Sequence, residues 1–215
     1  MDQVLVYGDS LTWGIIPGTR RRLGFGQRWP HVLEQGLAQR GTHVRIVEDC
    51  LNGRRTVWDD PFKPGRNGLA GLEQRMEIHS PLALVVLMLG TNDFQSVHQS
   101  AAWQSSQGIA ALVRAIRRAP IEPGMPVPRI LIVAPPPIQT PGGEMAEKFA
   151  GGQERCVGVA HAFQQVAAEF ACAFFDAGLV ASTSLIDGVH LDADQHETLG
   201  TALVPVVSGL LSASA

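Results

Sequence analysis

Short apolar runs that alternate with segments of helical periodicity are the feature that most limits what this chain can fold into. Five runs rich in Val, Ile, Leu and Phe have the composition of buried strands. They lie at 4–7, 44–47, 83–89, 130–134 and 173–175, and the helical segments lie at about 29–40, 68–77, 102–118, 153–171 and 196–212. Because a parallel crossover is normally helical, the alternation predicts a three-layer α/β/α fold on a five-stranded parallel sheet.

The segments that follow these runs are polar and specific. In open parallel sheets, ligands bind outside the carboxyl ends of the strands, so we expect these segments to meet at one rim. The first four are Gly8-Asp9-Ser10-Leu11, Leu51-Asn52-Gly53-Arg54, Gly90-Thr91-Asn92-Asp93 and Pro135-Pro136-Pro137. A fifth, Asp187-Gly188-Val189-His190, lies between the last run and the last helical segment.

The residue types in these segments are those of nucleophilic catalysis. A serine hydroxyl attacks well only when a base accepts its proton and donors stabilise the resulting oxyanion. Ser10 is the candidate nucleophile, His190 the base, and Asp187 the residue that orients the imidazole. The backbone N–H groups of Ser10 and Gly53 and the side-chain amide of Asn92 are the candidate oxyanion donors. This chemistry needs neither a cofactor nor a metal.

With these residues in place, the chain resembles the SGNH (GDSL) hydrolases, and its more local strings resemble their bacterial arylesterase and acyltransferase branch. The resemblance rests on Gly8-Asp9-Ser10-Leu11, Gly53, Gly90-Thr91-Asn92-Asp93 and Asp187-x-x-His190, in that order. It implies one SGNH hydrolase domain over 1–215, flavodoxin-like, with strand order 2-1-3-4-5. It also implies hydrolysis of short acyl esters of aryl or alkyl alcohols, with acyl transfer to alcohols or hydrogen peroxide in some members, and a homo-oligomer.

The same residues also have simpler interpretations. A serine after a strand often caps a helix, and Asn92 or Asp93 can serve a turn. For Asp9 we favour such a structural role. We expect Trp13, Asn52 and Pro136 to line the substrate pocket, with Trp13 chosen because it closely follows Ser10.

A metal site is the main alternative for the acidic and imidazole residues near the C-terminus. These residues are Asp187, His190, Asp192, Asp194 and His196. Carboxylates and imidazoles bind divalent ions, but the residues also have simpler uses, with His196 on the solvated start of the last helix. We therefore predict no metal.

Composition and charge exclude several other classes of protein. The formal net charge is −3 and no long basic run is present, which argues against nucleic acid as a partner. The longest apolar stretch, 82–89, is too short to span a bilayer. The N-terminus lacks the features of a signal peptide, so we expect a cytoplasmic protein that acts on a small-molecule ester.

Two kinds of alternative function stay open. The same triad serves in thioesterases, lysophospholipases and carbohydrate acetylesterases. More remotely, the chain is a non-catalytic flavodoxin-like binding domain in which Ser10 contacts a phosphate. The chain has no Gly-rich phosphate loop, which argues against this last alternative.

Overall fold

Five parallel strands form one sheet in the order β2-β1-β3-β4-β5. The computed structural model describes residues 1–212. The strands are β1 (Asp2–Gly8), β2 (Val44–Cys50), β3 (Leu84–Met88), β4 (Arg129–Ala134) and β5 (Ala173–Asp176). Every pair of neighbours is parallel. The predicted strand positions and strand order are confirmed.

Helices cover both faces of this sheet. They are α1 (Ser10–Trp13), α2 (Trp29–Gln39), α3 (Leu72–His79), α4 (Ala102–Arg118), α5 (Met145–Lys148), α6 (Gly152–Arg155), α7 (Val159–Glu169) and α8 (Ala193–Ser212). Side chains alternate along each strand, so Leu5 and Tyr7 pack towards α3, α4 and α7, whereas Val4 and Val6 pack towards α2 and α8. The three-layer α/β/α fold is therefore confirmed.

The helix boundaries differ from the predicted ones in three places. The segment predicted as one helix over 153–171 is divided into α6 and α7, because Gly158 adopts a left-handed conformation, with φ +83°, at the start of α7. The segment predicted from 68 begins at Leu72, and the last helix begins at Ala193 rather than 196. No helix within residues 1–212 combines the length and apolar character needed to cross a bilayer.

His196 is buried in α8, so its expected place on a solvated helix start is wrong. Its Nδ1 lies 3.3 Å from the backbone N–H of Trp29, the first residue of α2, and accepts a hydrogen bond from it. Burial disfavours the charged imidazolium and is the main reason that the pKa of His196 is lowered to about 4. The neutral ring thus joins the first turns of the two helices on this face.

The close contact of α2 with α8 depends on a residue without a side chain. Replacing Gly200 by Ala is expected to lower the free energy of unfolding by about 1–3 kcal/mol through overpacking. A Cβ at this position would lie 2.7 Å from the carbonyl oxygen of Trp29 and 2.7 Å from Cβ of Val32. Urea denaturation measures the change.

Gly209, in the same helix, supplies the matched control. A Cβ added there meets nothing within 4 Å, so Gly209→Ala is expected to stabilise the helix by about 0.5–1 kcal/mol. A Gly200→Ala variant as stable as the Gly209→Ala variant would contradict the close packing of α2 on α8.

Candidate active site

The hydroxyl of Ser10 and the imidazole of His190 meet at the carboxyl-terminal edge of the sheet. His190 Nε2 lies 3.2 Å from Ser10 Oγ. On the other side of the ring, His190 Nδ1 lies 2.7 Å from Asp187 Oδ2. All three residues are buried. The structure therefore brings together the three side chains that the sequence singles out as a triad.

Asp187 is held by the turn that it begins. Its Oδ1 accepts hydrogen bonds from the backbone N–H groups of Val189, at 3.0 Å, and His190, at 2.9 Å. Burial by itself raises the pKa of this carboxyl. The hydrogen bonds from the side chain and backbone of His190 and from Val189 lower the pKa by more than burial raises it, so that the pKa falls to about 2. Asp187 is therefore ionised at neutral pH, as a group that orients an imidazole must be.

A sharp turn from β1 into α1 positions Ser10. The Asp9 carboxylate caps α1 by accepting a hydrogen bond from the Leu11 N–H at 2.9 Å. Gly8 leaves no room for a side chain, since a Cβ there would lie 2.2 Å from Thr12 Oγ1. Asp9 is buried and lies beneath the turn, whereas Ser10 lines the cavity at the rim.

The backbone N–H groups of Ser10 and Gly53 are free to bind a ligand atom. Among residues 1–212, neither the N–H of Ser10 nor that of Gly53 has a hydrogen-bond acceptor, and both residues line the same cavity. Gly53 has φ +83°, a conformation that other residues rarely adopt. An added Cβ would approach only Arg66 Cγ, at 3.7 Å, so the backbone conformation rather than crowding requires glycine here.

Asn92 reaches the same place from the end of β3, on a short 3-10 turn, Thr91–Phe94. Its Nδ2 donates to Asp9 Oδ2 at 3.0 Å and to the Arg54 carbonyl at 3.2 Å, so both amide protons have acceptors. Its Oδ1 accepts from Gln95 Nε2 at 2.7 Å, which settles the orientation of the amide. An oxyanion at this position would replace the longer bond, to the Arg54 carbonyl.

Arg55 and Gln95 support Asn92 and were missed by the sequence analysis. Arg55 is fully buried; its guanidinium lies 2.7 Å from Asp60 Oδ2 and donates to Gln95 Oε1 at 2.5 Å. Gln95 in turn holds Asn92. The sequence does place both residues near predicted site residues, since Gln95 follows Asn92 by three positions and Arg55 follows Gly53 by two. This proximity does not reveal that the Arg55 cation is buried.

Asp93 is a third buried carboxylate of the site and is adjacent to Asn92 in the chain. It accepts hydrogen bonds from the N–H of Thr56 at 2.9 Å, from the Thr56 hydroxyl at 2.7 Å and from the Ser105 hydroxyl at 2.6 Å. Burial outweighs these donors and raises the pKa of Asp93 to about 6. Burial likewise raises the pKa of Asp9 to about 6.

Two cavities that share His190 as a lining residue lie at the site. The smaller, of about 40 Å³, is lined by Ser10, Asn52, Gly53 and Asn92 among others. The larger, of about 240 Å³, extends past His190 and has mainly apolar walls that include residues of the irregular segments after Trp13 and after β4. Asn52 thus lies in the expected pocket.

Trp13 and Pro136 do not line either cavity. Trp13 packs beneath the Arg22 guanidinium, which lies 4.7 Å from the ring centroid, and its carbonyl accepts a hydrogen bond from Arg22 Nε at 2.8 Å. Pro136 is buried after β4. Trp13 is close to Ser10 in the sequence and Pro136 follows a strand, but neither position makes the residue part of the pocket wall.

The acidic and imidazole residues at 187–196 do not assemble as a metal site. Within the part of the chain that the structure describes, no group of three or more His, Cys, Asp or Glu side chains is placed to hold a metal ion. His196 faces α2, and Asp187 and His190 bond to each other.

Known proteins resemble this chain over nearly its whole length. A model of the GDSL-like Lipase/Acylhydrolase family matches residues 6–198. A carbohydrate acetylesterase family member from Sinorhizobium meliloti is 40% identical, covering 99% of this chain and 100% of that one, with a TM-score of 0.92. The inhibitor-bound aryl esterase of M. smegmatis is 32% identical, covering 98% and 100%, also with 0.92. No curated protein gives a significant match.

The buried Asp93 makes stability depend on pH in a defined direction. Its pKa is near 3.8 when unfolded and about 6 when folded, so between these values the folded chain binds the proton and the unfolded chain does not. The free energy of unfolding is therefore expected to fall as pH rises from about 4 to about 6. Asp93→Asn should reduce that fall by up to about 3 kcal/mol, measured by urea denaturation across this range.

Asp2→Asn, at the exposed start of β1, is the matched control for the loss of one carboxyl. It should leave the pH dependence as in the wild type. A slope for Asp93→Asn that matches the control would contradict a raised pKa at Asp93.

Proposed function

The chain belongs to the GDSL-like lipase/acylhydrolase family, and we propose that it acts as a serine esterase in which Ser10, His190 and Asp187 form the catalytic triad. The observation that carries this proposal is the continuous series of contacts from Ser10 Oγ to His190 Nε2, at 3.2 Å, and from His190 Nδ1 to Asp187, at 2.7 Å. The family match and the acetylesterase and aryl esterase neighbours support ester hydrolysis as the reaction.

Acylation begins with transfer of the Ser10 proton. His190 carries its own proton on Nδ1, which donates to the ionised Asp187, so Nε2 is free to accept the proton from Ser10 Oγ. The serine oxygen then attacks the ester carbonyl. His190 gives the proton to the departing alcohol, which leaves an acyl group on Ser10.

The oxyanion formed in this step requires donors in place before the reaction. The free N–H groups of Ser10 and Gly53 supply two, and the Asn92 amide supplies the third by exchanging its bond to the Arg54 carbonyl for one to the oxyanion. Asp9 and Gln95 hold Asn92 in place. Deacylation repeats these steps with water as the nucleophile, and His190 again transfers the proton.

The two cavities favour a short acyl group. The space of about 40 Å³ beside Ser10 accommodates only a few heavy atoms, as in an acetyl group. The space of about 240 Å³ on the side of Asp187 and His190 suits the alcohol, because His190 must reach the leaving oxygen. Acetyl esters of aryl alcohols and of carbohydrates are therefore the proposed substrates, the latter supported by the neighbour from S. meliloti. An acceptor alcohol in place of water would convert the same acyl-enzyme into a transferase intermediate.

Replacing Ser10 by Ala is expected to lower the hydrolysis of p-nitrophenyl acetate by roughly 10⁴-fold or more, because the nucleophile is lost. Ser106→Ala is the control: this serine is also buried, but its hydroxyl bonds to the Trp103 carbonyl within α4. After treatment with a fluorophosphonate, mass spectrometry should find the adduct on Ser10 alone. An active Ser10→Ala variant would refute the mechanism.

Loss of an oxyanion donor should lower kcat with little effect on KM. Asn92→Ala is expected to reduce kcat roughly 10²-fold or more. Gly53→Ala should act in the same direction, since an alanine at φ +83° displaces the backbone N–H. Gly124→Ala is its control, with φ +89° in a distant loop and open space around it. Equal kcat values for Gly53→Ala and Gly124→Ala would exclude Gly53 from the oxyanion hole.

A further inference from the structure

The chain contains only two lysines, Lys63 and Lys148, and both line the small cavity beside Ser10. Lys63 lies in the loop after β2 and Lys148 ends the short helix α5, 85 residues further along the chain, so their meeting is a result of the fold. They also line an open depression of about 560 Å³ that adjoins this cavity. Arg20, from the loop after α1, lines the same small cavity. A chain with a net charge of −3 thus places three cations around its proposed nucleophile.

Neither lysine ammonium has a carboxylate partner. Among residues 1–212, no Asp or Glu oxygen lies within 4.0 Å of Nζ of Lys63 or Lys148. Asp60 lines the cavity beside them, but it is paired with the buried Arg55 at 2.7 Å.

The other charges nearby do not neutralise the two lysines. Glu144 and Glu147 line the outer depression, and Glu144 is 3.8 Å from Arg20, with both side chains exposed. Arg66 lies beside Gly53 and donates to the carbonyls of Asn52 and Pro64, without a carboxylate partner in the described chain. The cations near the cavity therefore exceed the free carboxylates.

Each lysine also lies near other positively charged side chains, which help to lower its pKa. Limited hydration, together with Arg66 and Arg20, lowers the pKa of Lys63. Limited hydration and Arg55 lower the pKa of Lys148 in the same way. Unpaired cations that repel one another are stabilised when an anion binds between them.

We propose that Lys63 and Lys148 form an anion subsite of the active site and that the ester substrate carries a carboxylate or a similar anionic group. This inference rests on the proposed esterase function and specifies the class of its substrate. A carboxylate on the acyl portion and one on the alcohol portion offer the lysines the same chemistry. Acidic esters therefore fit the site better than neutral ones. The acetyl ester of an acidic sugar or phenol keeps the short acyl group, whereas the acyl chain of a dicarboxylic acid monoester extends from the small cavity into the outer depression, which the same two lysines line.

The test compares two pairs of esters, each matched except for one charge. Ethyl hydrogen succinate and ethyl butyrate differ on the acyl side and are followed by titration of released acid. The 4-acetoxybenzoate anion and its methyl ester differ on the alcohol side and are followed by release of the phenol. In at least one pair, kcat/KM should be higher for the charged member, and the pair that shows this identifies the side that carries the anion.

A charge-removing double variant, Lys63→Gln with Lys148→Gln, should lower the ratio of kcat/KM for the charged ester to that for the neutral ester by about tenfold. The double variant to Arg keeps the charge and should retain most of the ratio. Arg45→Gln is the control, because Arg45 is an exposed cation near the amino end of β2, at the opposite edge of the sheet. Added salt should reduce the preference of the wild type.

The outcomes separate the two proposals. Hydrolysis of the neutral esters with the same charged-to-neutral ratio in the wild type and the Gln variant would overturn the anion subsite and leave the esterase function intact. No Ser10-dependent hydrolysis of any of the four esters would overturn both.

Discussion

The hydrogen bond between His190 Nε2 and Ser10 Oγ joins residues 180 positions apart, and the rest of the site is arranged around it. The parallel sheet makes this contact possible. In a parallel sheet all strands end at the same edge, so the turn after β1 and the loop before α8 meet above it. Because β1 lies between β2 and β3, segments that follow both neighbouring strands also reach Ser10. Gly53 and Asn92 lie on those two segments.

The polar residues under this edge form a continuous buried network. It runs from Asp9 to Asn92, then to Gln95 and Arg55, and ends at Asp60. Burying charged groups is costly unless each is paired or hydrogen-bonded, and here the carboxylates and the guanidinium have such partners. The network holds the amide of Asn92 in place without any bound substrate, as its proposed role as an oxyanion donor requires. The raised pKa of Asp9 reflects the cost of burying a carboxylate in this network.

The surface around the site differs in character from this buried network. Arg20, Lys63 and Lys148 are exposed: the first two lie in loops and the third ends the short helix α5. Among residues 1–212, the two lysines have no carboxylate partner. In the proposed mechanism the buried residues carry out the reaction, and in the proposed anion subsite the exposed lysines select the substrate. This division is typical of folds in which a rigid sheet presents variable loops.

The amino-acid sequence alone determined the parallel sheet and the segments at its edge, and the order of the strands followed from the family resemblance that those segments carry. Apolar runs and helical periodicity report which residues are buried, and parallel strands must end together, so Ser10, Asp187 and His190 were identifiable without coordinates. Only the tertiary structure decided that Arg55 is buried, that Trp13 does not line the pocket, and that both lysines line the cavity beside Ser10. The physical reason is that loop conformation and the pairing of buried charges depend on contacts between residues far apart in the chain, which local patterns do not encode.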